Sequence, residues 1–167
     1  TDSEPVNGGE SVTGYQRNLQ INRSGRMYSN HTHIIETTSD FRSELGFQQR
    51  YFASDTSGMH QRSAFSFYPE NSSINQWNAT AFGVYLEDMK GTKIYSQLGP
   101  QFDVRFDTTS FGAQWTDYSE ILQPGDYPGL VATQNYKYDN WQLNFSNNTL
   151  DTVEFNLSYR NGTTLNV

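Results

Sequence analysis

Apolar and polar residues alternate along much of the chain with a period of two, which is the pattern of a half-buried β-strand. The clearest segment runs from Gln101 to Asp107. Its apolar set is Phe102, Val104 and Phe106, and its charged set is Asp103, Arg105 and Asp107. No stretch of a dozen residues shows the 3.6-residue period of an amphipathic helix. The pattern therefore predicts an all-β chain.

Turn residues divide the alternating pattern into nine or ten predicted strands. We place strands at 13–22, 26–37, 41–53, 61–68, 76–87, 92–107 (interrupted at Gly99-Pro100), 111–115, 130–138, 141–145 and 153–159. Turns are predicted at 23–25, 54–58, 88–91, 123–129 and 161–162. Pro69 ends one strand, because proline cannot donate to a strand ladder.

Long strands joined by short turns favour an antiparallel up-and-down meander or barrel of about 8–10 strands. A two-sheet β-sandwich is the alternative. At 167 residues the chain fits one domain. We expect a polar loop or terminal edge over residues 1–12 and a single all-β domain over residues 13–167.

One consequence of the alternation is an expected apolar band across three successive strands. Its members are Phe82, Val84, Leu86, Phe102, Val104, Phe106, Phe111 and Trp115. An exposed band of that size is a liability on a soluble monomer, so either membrane lipid or a second sheet should cover it.

Composition narrows the class of protein. Aromatic residues make up 15% of the chain although its mean hydropathy is −0.77, so the chain is polar but not depleted of aromatics as disordered chains are. The net charge is −7 with no basic patch, which argues against a nucleic-acid partner. The absence of cysteine excludes disulfides and thiolate metal sites, and favours a bacterial surface protein over a small secreted eukaryotic domain.

No sequence motif for catalysis is present, so we expect no catalytic residues and no cofactor. Carboxylates such as Asp103, Asp107, Asp117 and Glu120 are interpreted as solvated charges. His31 and His33 lie two apart and would share a strand face, which makes them weak candidates for a metal site. Two ligands are fewer than zinc takes from a protein, and nothing in the sequence places His60 beside them, so we expect no bound metal.

Aromatic side chains are the candidate ligand-binding residues, because they can stack on sugar rings. The candidates are Trp77, Trp115, Trp141 and Tyr127, and the same residues could instead form a membrane-interface girdle or fill a core. In a secreted eukaryotic protein, Asn-x-Ser/Thr triplets would accept glycans. They occur at Asn22, Asn30, Asn71, Asn78, Asn144, Asn147, Asn156 and Asn161. Chance in an Asn-, Ser- and Thr-rich chain is the simpler explanation.

Several short segments resemble a family of bacterial outer-membrane proteins of unassigned function. They are Asp40–Phe47 with Arg50, Phe67–Glu70, Ile74–Trp77, Phe102–Phe106, Tyr118–Leu122 and Pro124–Tyr127. Members of that family join an N-terminal family-9 carbohydrate-binding-like module, which has no counterpart in this chain, to a C-terminal β-barrel.

The resemblance implies a segment of a non-enzymatic β-barrel in the outer membrane or at the cell surface. Its partners would be outer-membrane lipid and a polar solute that passes or binds, with a saccharide as one candidate. The alternative function is that of a soluble extracellular β-sandwich that binds glycans through exposed aromatics.

Overall fold

The computed structural model describes residues 14–38, 41, 55–124, 130–150 and 153–163, which form one antiparallel sheet. Its eight strands are β1 (Gln16–Arg23), β2 (Tyr28–Thr37), β3 (Thr56–Phe67), β4 (Gln76–Asp88), β5 (Lys93–Arg105), β6 (Thr109–Leu122), β7 (Gln134–Leu150) and β8 (Val153–Gly162). Each strand pairs with its neighbours in the sequence, and the sheet is not closed into a barrel. The predicted all-β meander is confirmed, and these residues form no second sheet.

Four details of the predicted strands were wrong. The strands predicted at 130–138 and 141–145 are one strand, β7. Strand β3 already begins at Thr56, where a turn was expected, and β8 continues through the Asn161–Gly162 turn signal because both residues pair with β7. Gly99 and Pro100 do not interrupt β5: they pair with β4, and the β5–β6 pairs stop before them and resume after them in one register. The predicted strand at 41–53 lies outside the described residues, apart from Phe41.

The turn between β4 and β5 forms where the sequence predicts it. The Asp88 carboxylate accepts hydrogen bonds from the backbone N–H groups of Lys90 and Thr92, at 2.9 and 2.8 Å. Gly91 follows with a φ of 82°, a left-handed conformation that glycine adopts without steric cost. Aspartate at the start and glycine at the end are typical of such turns.

A one-residue register shift between Leu86 and Glu87 decides which residues share a face of the sheet. Because side chains alternate, a one-residue shift moves a whole set to the opposite side. Phe102 therefore pairs with Ala79, and its face carries the odd-numbered residues of β4. The predicted single band was wrong in this respect: Phe82, Val84 and Leu86 point to the other side from Phe102, Val104, Phe111 and Trp115.

We name the two sides by their composition. The apolar face carries Trp77, Ala79, Ala81, Gly83 and Tyr85 on β4, with their row partners on the other strands. The polar face carries Asn78, Thr80, Phe82, Val84 and Leu86 on β4, with the residues that pair with them on the other strands. The buried apolar side chains described are few, namely Ile35, Leu86, Tyr95 and Leu122, and all of them lie at the end of the sheet that holds the β4–β5 turn.

Candidate functional site

The apolar face is rich in large side chains that remain exposed. Its large apolar members with exposed side chains are Leu19, Ile21, Ile34, Met59, Phe65, Phe67, Tyr85, Leu98, Phe102, Phe111, Trp141, Leu143, Phe155, Leu157 and Tyr159. Among these, Phe102 is 47% exposed and Trp141 53% exposed. Exposed apolar patches of this extent are typical of surfaces that contact another protein or a membrane.

The three tryptophans predicted to bind a ligand all lie on this apolar face. Trp77 stacks on Phe67 with ring centroids 4.0 Å apart, and Trp115 and Trp141 are a cross-strand pair with centroids 6.3 Å apart. The indole N–H of Trp115 donates to the Asp139 carboxylate at 3.2 Å. Tyr127, the fourth candidate, lies outside the described residues. The structure thus places the tryptophans in two aromatic pairs, Trp77 with Phe67 and Trp115 with Trp141, on the opposite side of the sheet from the polar face.

Charged and amide residues border the apolar face. On β1 the pair Leu19 and Ile21 lies between Arg17 and Arg23. On β6 and β7 the cross-strand pair Asp117 and Asp139 directly follows the two tryptophans. The opposite border of β6 and β7 is Thr109 and Asn147, whose side chains are hydrogen-bonded at 2.7 Å. Polar borders on both sides limit the apolar surface to a band.

Four polar residues lie inside this band on β2 and β3, and they bond to one another. They are Asn30, Thr32, Gln61 and Ser63. Gln61 Nε2 donates to Asn30 Oδ1 at 2.8 Å, and Thr32 Oγ1 donates to Gln61 Oε1 at 2.9 Å. The Ser63 hydroxyl donates to Asn30 Oδ1 at 2.9 Å. Mutual bonding lowers the cost of placing these groups in an apolar surface.

The polar face carries rows of amide, hydroxyl and charged groups across β4 to β8. One row is Thr80, Gln101, Gln114, Gln142 and Arg160, and the next is Asn78, Asp103, Gly112, Asn144 and Ser158. Gln101 donates to Asp103 at 2.9 Å between the two rows, and Arg160 donates to Gln142 at 3.0 Å within the first row. The sequence analysis did not identify these residues as a site. Their period-two spacing would have been enough to assign those of each strand to one face.

All three histidines of the chain meet on the polar face of β2 and β3. His33 pairs across the strands with His60, and His31 pairs with Arg62. Ring centroids are 5.2 Å apart for His31 and His60 and 6.4 Å apart for His31 and His33. His31 Nδ1 lies 2.6 Å from the amide oxygen of Asn22 on β1. An amide oxygen only accepts, so His31 Nδ1 carries the proton of this bond.

The sequence did not reveal that His60 joins the pair, because the β2–β3 register depends on a connection of about twenty residues. No three His, Asp or Glu side chains among the described residues are arranged to hold a metal ion. The absence of a bound metal stays a prediction.

The structure does not bring the singled-out carboxylates together. Asp103 lies on the polar face of β5, and Asp117 lies on the apolar face of β6. Asp107 accepts a hydrogen bond from Asn75 at 2.7 Å, and Glu120 is buried at the far end of the sheet. Of the eight Asn-x-Ser/Thr positions, Asn71 lies in the loop after β3, and the other seven lie within strands.

Comparison with known proteins adds no relative: no family model, no curated protein and no solved structure matches the chain. Among the residues described, no helix has the length and apolar character needed to cross a membrane.

Proposed function

We propose that the sheet is part of the wall of a bacterial outer-membrane β-barrel. The apolar face meets lipid, and the polar face lines an aqueous path for a polar solute that passes or binds. The observation that carries the proposal is the course of the apolar band across the strands. The resemblance to a family of outer-membrane barrels points the same way.

The band runs diagonally. On β1 it is centred at Gln20, between Leu19 and Ile21, and the row through Gln20 reaches Val84 on β4. On β8 it is centred at Leu157, between Phe155 and Tyr159, and the row through Leu157 reaches Trp77 on β4. Between the first and the eighth strand the band shifts by 84 − 77 = 7 residues, which is one residue per strand-to-strand step.

A shift of one residue per step has a geometric meaning. A strand rises about 3.3 Å per residue and neighbouring strands lie about 4.8 Å apart, so a level band across the sheet requires strands tilted by roughly 35°. Strands of outer-membrane barrels tilt by about 35–45° from the membrane normal. A flat membrane slab crossing tilted strands produces this diagonal, because lipid selects residues by depth rather than by row.

The width of the band approaches that of a membrane on β4, where the apolar face is widest; on β6 the band runs only from Phe111 to Trp115, about 13 Å along the strand. On β4 the apolar face runs from Trp77 to Tyr85, which spans about 26 Å along the strand and about 22 Å along the normal at that tilt. The apolar belt of an outer-membrane barrel is about 25 Å tall and is flanked by aromatic girdles. Here Phe67, Trp77, Phe111 and Phe145 lie near one border, and Tyr85, Trp115 and Trp141 near the other.

Trp115 shows why an aromatic suits such a border. Its ring lies on the apolar face while its N–H reaches the Asp139 carboxylate beyond the band. Amphipathic rings settle where one end is apolar and the other is wet. In this proposal the three tryptophans contact lipid and its boundary rather than a sugar.

The second candidate is a soluble extracellular sheet that binds glycans through its exposed aromatics. The cross-strand pair of Trp115 and Trp141 favours it, since paired rings can stack on sugars. In that case a further layer of protein must cover most of the apolar face, and the polar face does not line a path through a membrane.

Dependence on detergent separates the two candidates. We expect the chain to aggregate in plain buffer and to give a folded, monodisperse β-sheet species in detergent micelles. Circular dichroism and light scattering measure both properties. A monodisperse folded protein in buffer, unchanged on addition of detergent, would rule out the membrane wall.

A further inference from the structure

The strongest unexplained feature is the cluster of basic side chains formed by Arg62, His31, His33 and His60 on the polar face. The four residues come from only two strands, β2 and β3, and occupy two adjacent rows. Arg62 is exposed, and the three imidazoles are partly exposed. A ligand that approaches the polar face can therefore reach them.

The cluster has almost no opposing charge on its own part of the sheet. Apart from Arg62, Asp88 is the one residue with a formal charge described on the polar face of β1 to β4. It lies at the end of β4 that leads into the β4–β5 turn. Its register partner is Thr56, four positions along β3 from His60. The described residues give Arg62 no ion pair. The next carboxylates on this face are Asp103 on β5 and Glu120 on β6.

This separation of charge runs against the composition of the chain. Acidic residues outnumber basic ones by 18 to 11, yet the basic side chains of this cluster lie together with no carboxylate among them. A guanidinium matches the geometry of a carboxylate, phosphate or sulfate group, to which it donates two parallel hydrogen bonds. Rings of basic side chains are the usual selectivity device of pores that carry anions.

We infer that Arg62, His31 and His60 form a binding station for an oxyanion group of the solute, such as a phosphate, sulfate or carboxylate. The proposal rests on the proposed function, because it names the class of solute that the polar face serves. Arg62 supplies a permanent positive charge and two parallel donors. The ring N–H groups of His31, in the same row as Arg62, and of His60, in the neighbouring row, supply further donors.

The hydrogen bond to Asn22 bears on the role of His31. It takes up the Nδ1 proton, so the remaining ring nitrogen of His31 becomes a donor only when the ring is protonated. Histidine side chains gain a proton as the pH falls from about 8 to about 5. Burial, and then the neighbouring charges of His31, His33 and Arg62, lower the pKa of His60, so that ring takes up its proton at a lower pH than an ordinary histidine does. Once protonated it adds a charge and a donor to the station, and oxyanion binding should tighten as the pH falls.

The chain offers a direct probe of this station. It has only three histidines, all in the cluster, so every imidazole NMR signal reports on the site. Inorganic sulfate is a suitable oxyanion because it keeps both charges between pH 5.5 and 8. We expect saturable shifts of the imidazole Cε1–H signals when sulfate replaces chloride at constant ionic strength. Binding should be tighter at pH 5.5 than at pH 8, because a charged donor holds an oxyanion more strongly than a neutral one.

Variants at two arginines test the assignment. Arg62→Gln should weaken sulfate binding at pH 5.5 by at least about tenfold, which is the effect of losing one charge-assisted contact. Arg62→Lys keeps the positive charge but loses the two parallel donors of the guanidinium, so its affinity for sulfate should lie between those of the wild type and Arg62→Gln. The matched control is Arg160→Gln, which removes a charge from the same face on β8, far from the histidines, and should leave binding unchanged. Circular dichroism checks the folding of each variant.

Three results would overturn the inference. The first is the absence of saturable sulfate binding below about 10 mM at pH 5.5. The second is an equal loss of binding in Arg62→Gln and Arg160→Gln, which means that the face attracts anions through net charge alone. The third is stoichiometric Zn²⁺ binding that perturbs the imidazoles while sulfate does not. None of these results depends on detergent behaviour, so the membrane-wall proposal stands or falls separately.

Discussion

Replacing Phe102 by arginine should destabilise the protein by about 3 kcal/mol when it is folded in a lipid bilayer. Phe102 lies within the apolar band on β5, between Leu98 and Val104, and is 47% exposed. On a water-exposed surface such a change costs within about 1 kcal/mol. At the depth of the hydrocarbon, the guanidinium loses its hydration. Urea unfolding from phospholipid vesicles, followed by tryptophan fluorescence, measures the difference.

The matched control is Gln101→Arg, one residue away on the polar face. Gln101 is next to the Asp103 carboxylate, which can pair with a new guanidinium, so we expect a change in unfolding free energy within about 1 kcal/mol. Similar costs for the two variants would mean that the two faces do not differ in solvent, and the membrane wall would be refuted.

Gly99→Ala should destabilise the sheet by about 3 kcal/mol, whichever medium surrounds it. A Cβ at Gly99 would overlap the backbone carbonyl oxygen of Trp115 on β6 and crowd the ring of Phe82. Backbone cannot give way as a flexible side chain can, so β5 and β6 would be forced apart. Equilibrium unfolding in denaturant measures the loss.

Gly83→Ala, on the neighbouring strand β4, serves as its control. A Cβ there would make only ordinary contacts, the nearest at 3.4 Å from the Gln97 carbonyl oxygen. We expect a change within about 1 kcal/mol, because alanine also reduces the freedom of the unfolded chain. Equal losses for Gly83→Ala and Gly99→Ala would show that glycine serves flexibility in these strands rather than the close approach of β5 and β6.

The sequence predicts the strands well because alternation is a local property. Residues 101–105 alternate as expected, and the turn at Asp88–Gly91 shows its type through aspartate and glycine. Gly99-Pro100 misled the prediction, since a strand break is the usual meaning of that pair. Here the glycine admits the carbonyl oxygen of Trp115, and the proline is accommodated where the β5–β6 pairs lapse.

Local sequence patterns do not show which residues of different strands share a face of the sheet or form a cluster. The register shift at Leu86/Glu87 reverses the side on which Phe102 lies relative to Phe82, and no propensity marks it. Likewise, the contact of His60 with His31 depends on the register between β2 and β3, which are separated by residues 38–55. A sequence lists the members of each strand face, but only the pairing shows which faces join.

Fluorescence quenching of Trp141 by brominated lipids tests the membrane wall most directly. Trp141 is 53% exposed on the apolar face, and replacing Trp77 and Trp115 by phenylalanine leaves it as the sole tryptophan. In vesicles, we expect strong quenching by bromines on the upper acyl chain and weak quenching by aqueous acrylamide. Efficient quenching by acrylamide, with no effect of the brominated chains, would show that this face meets water and would contradict the account.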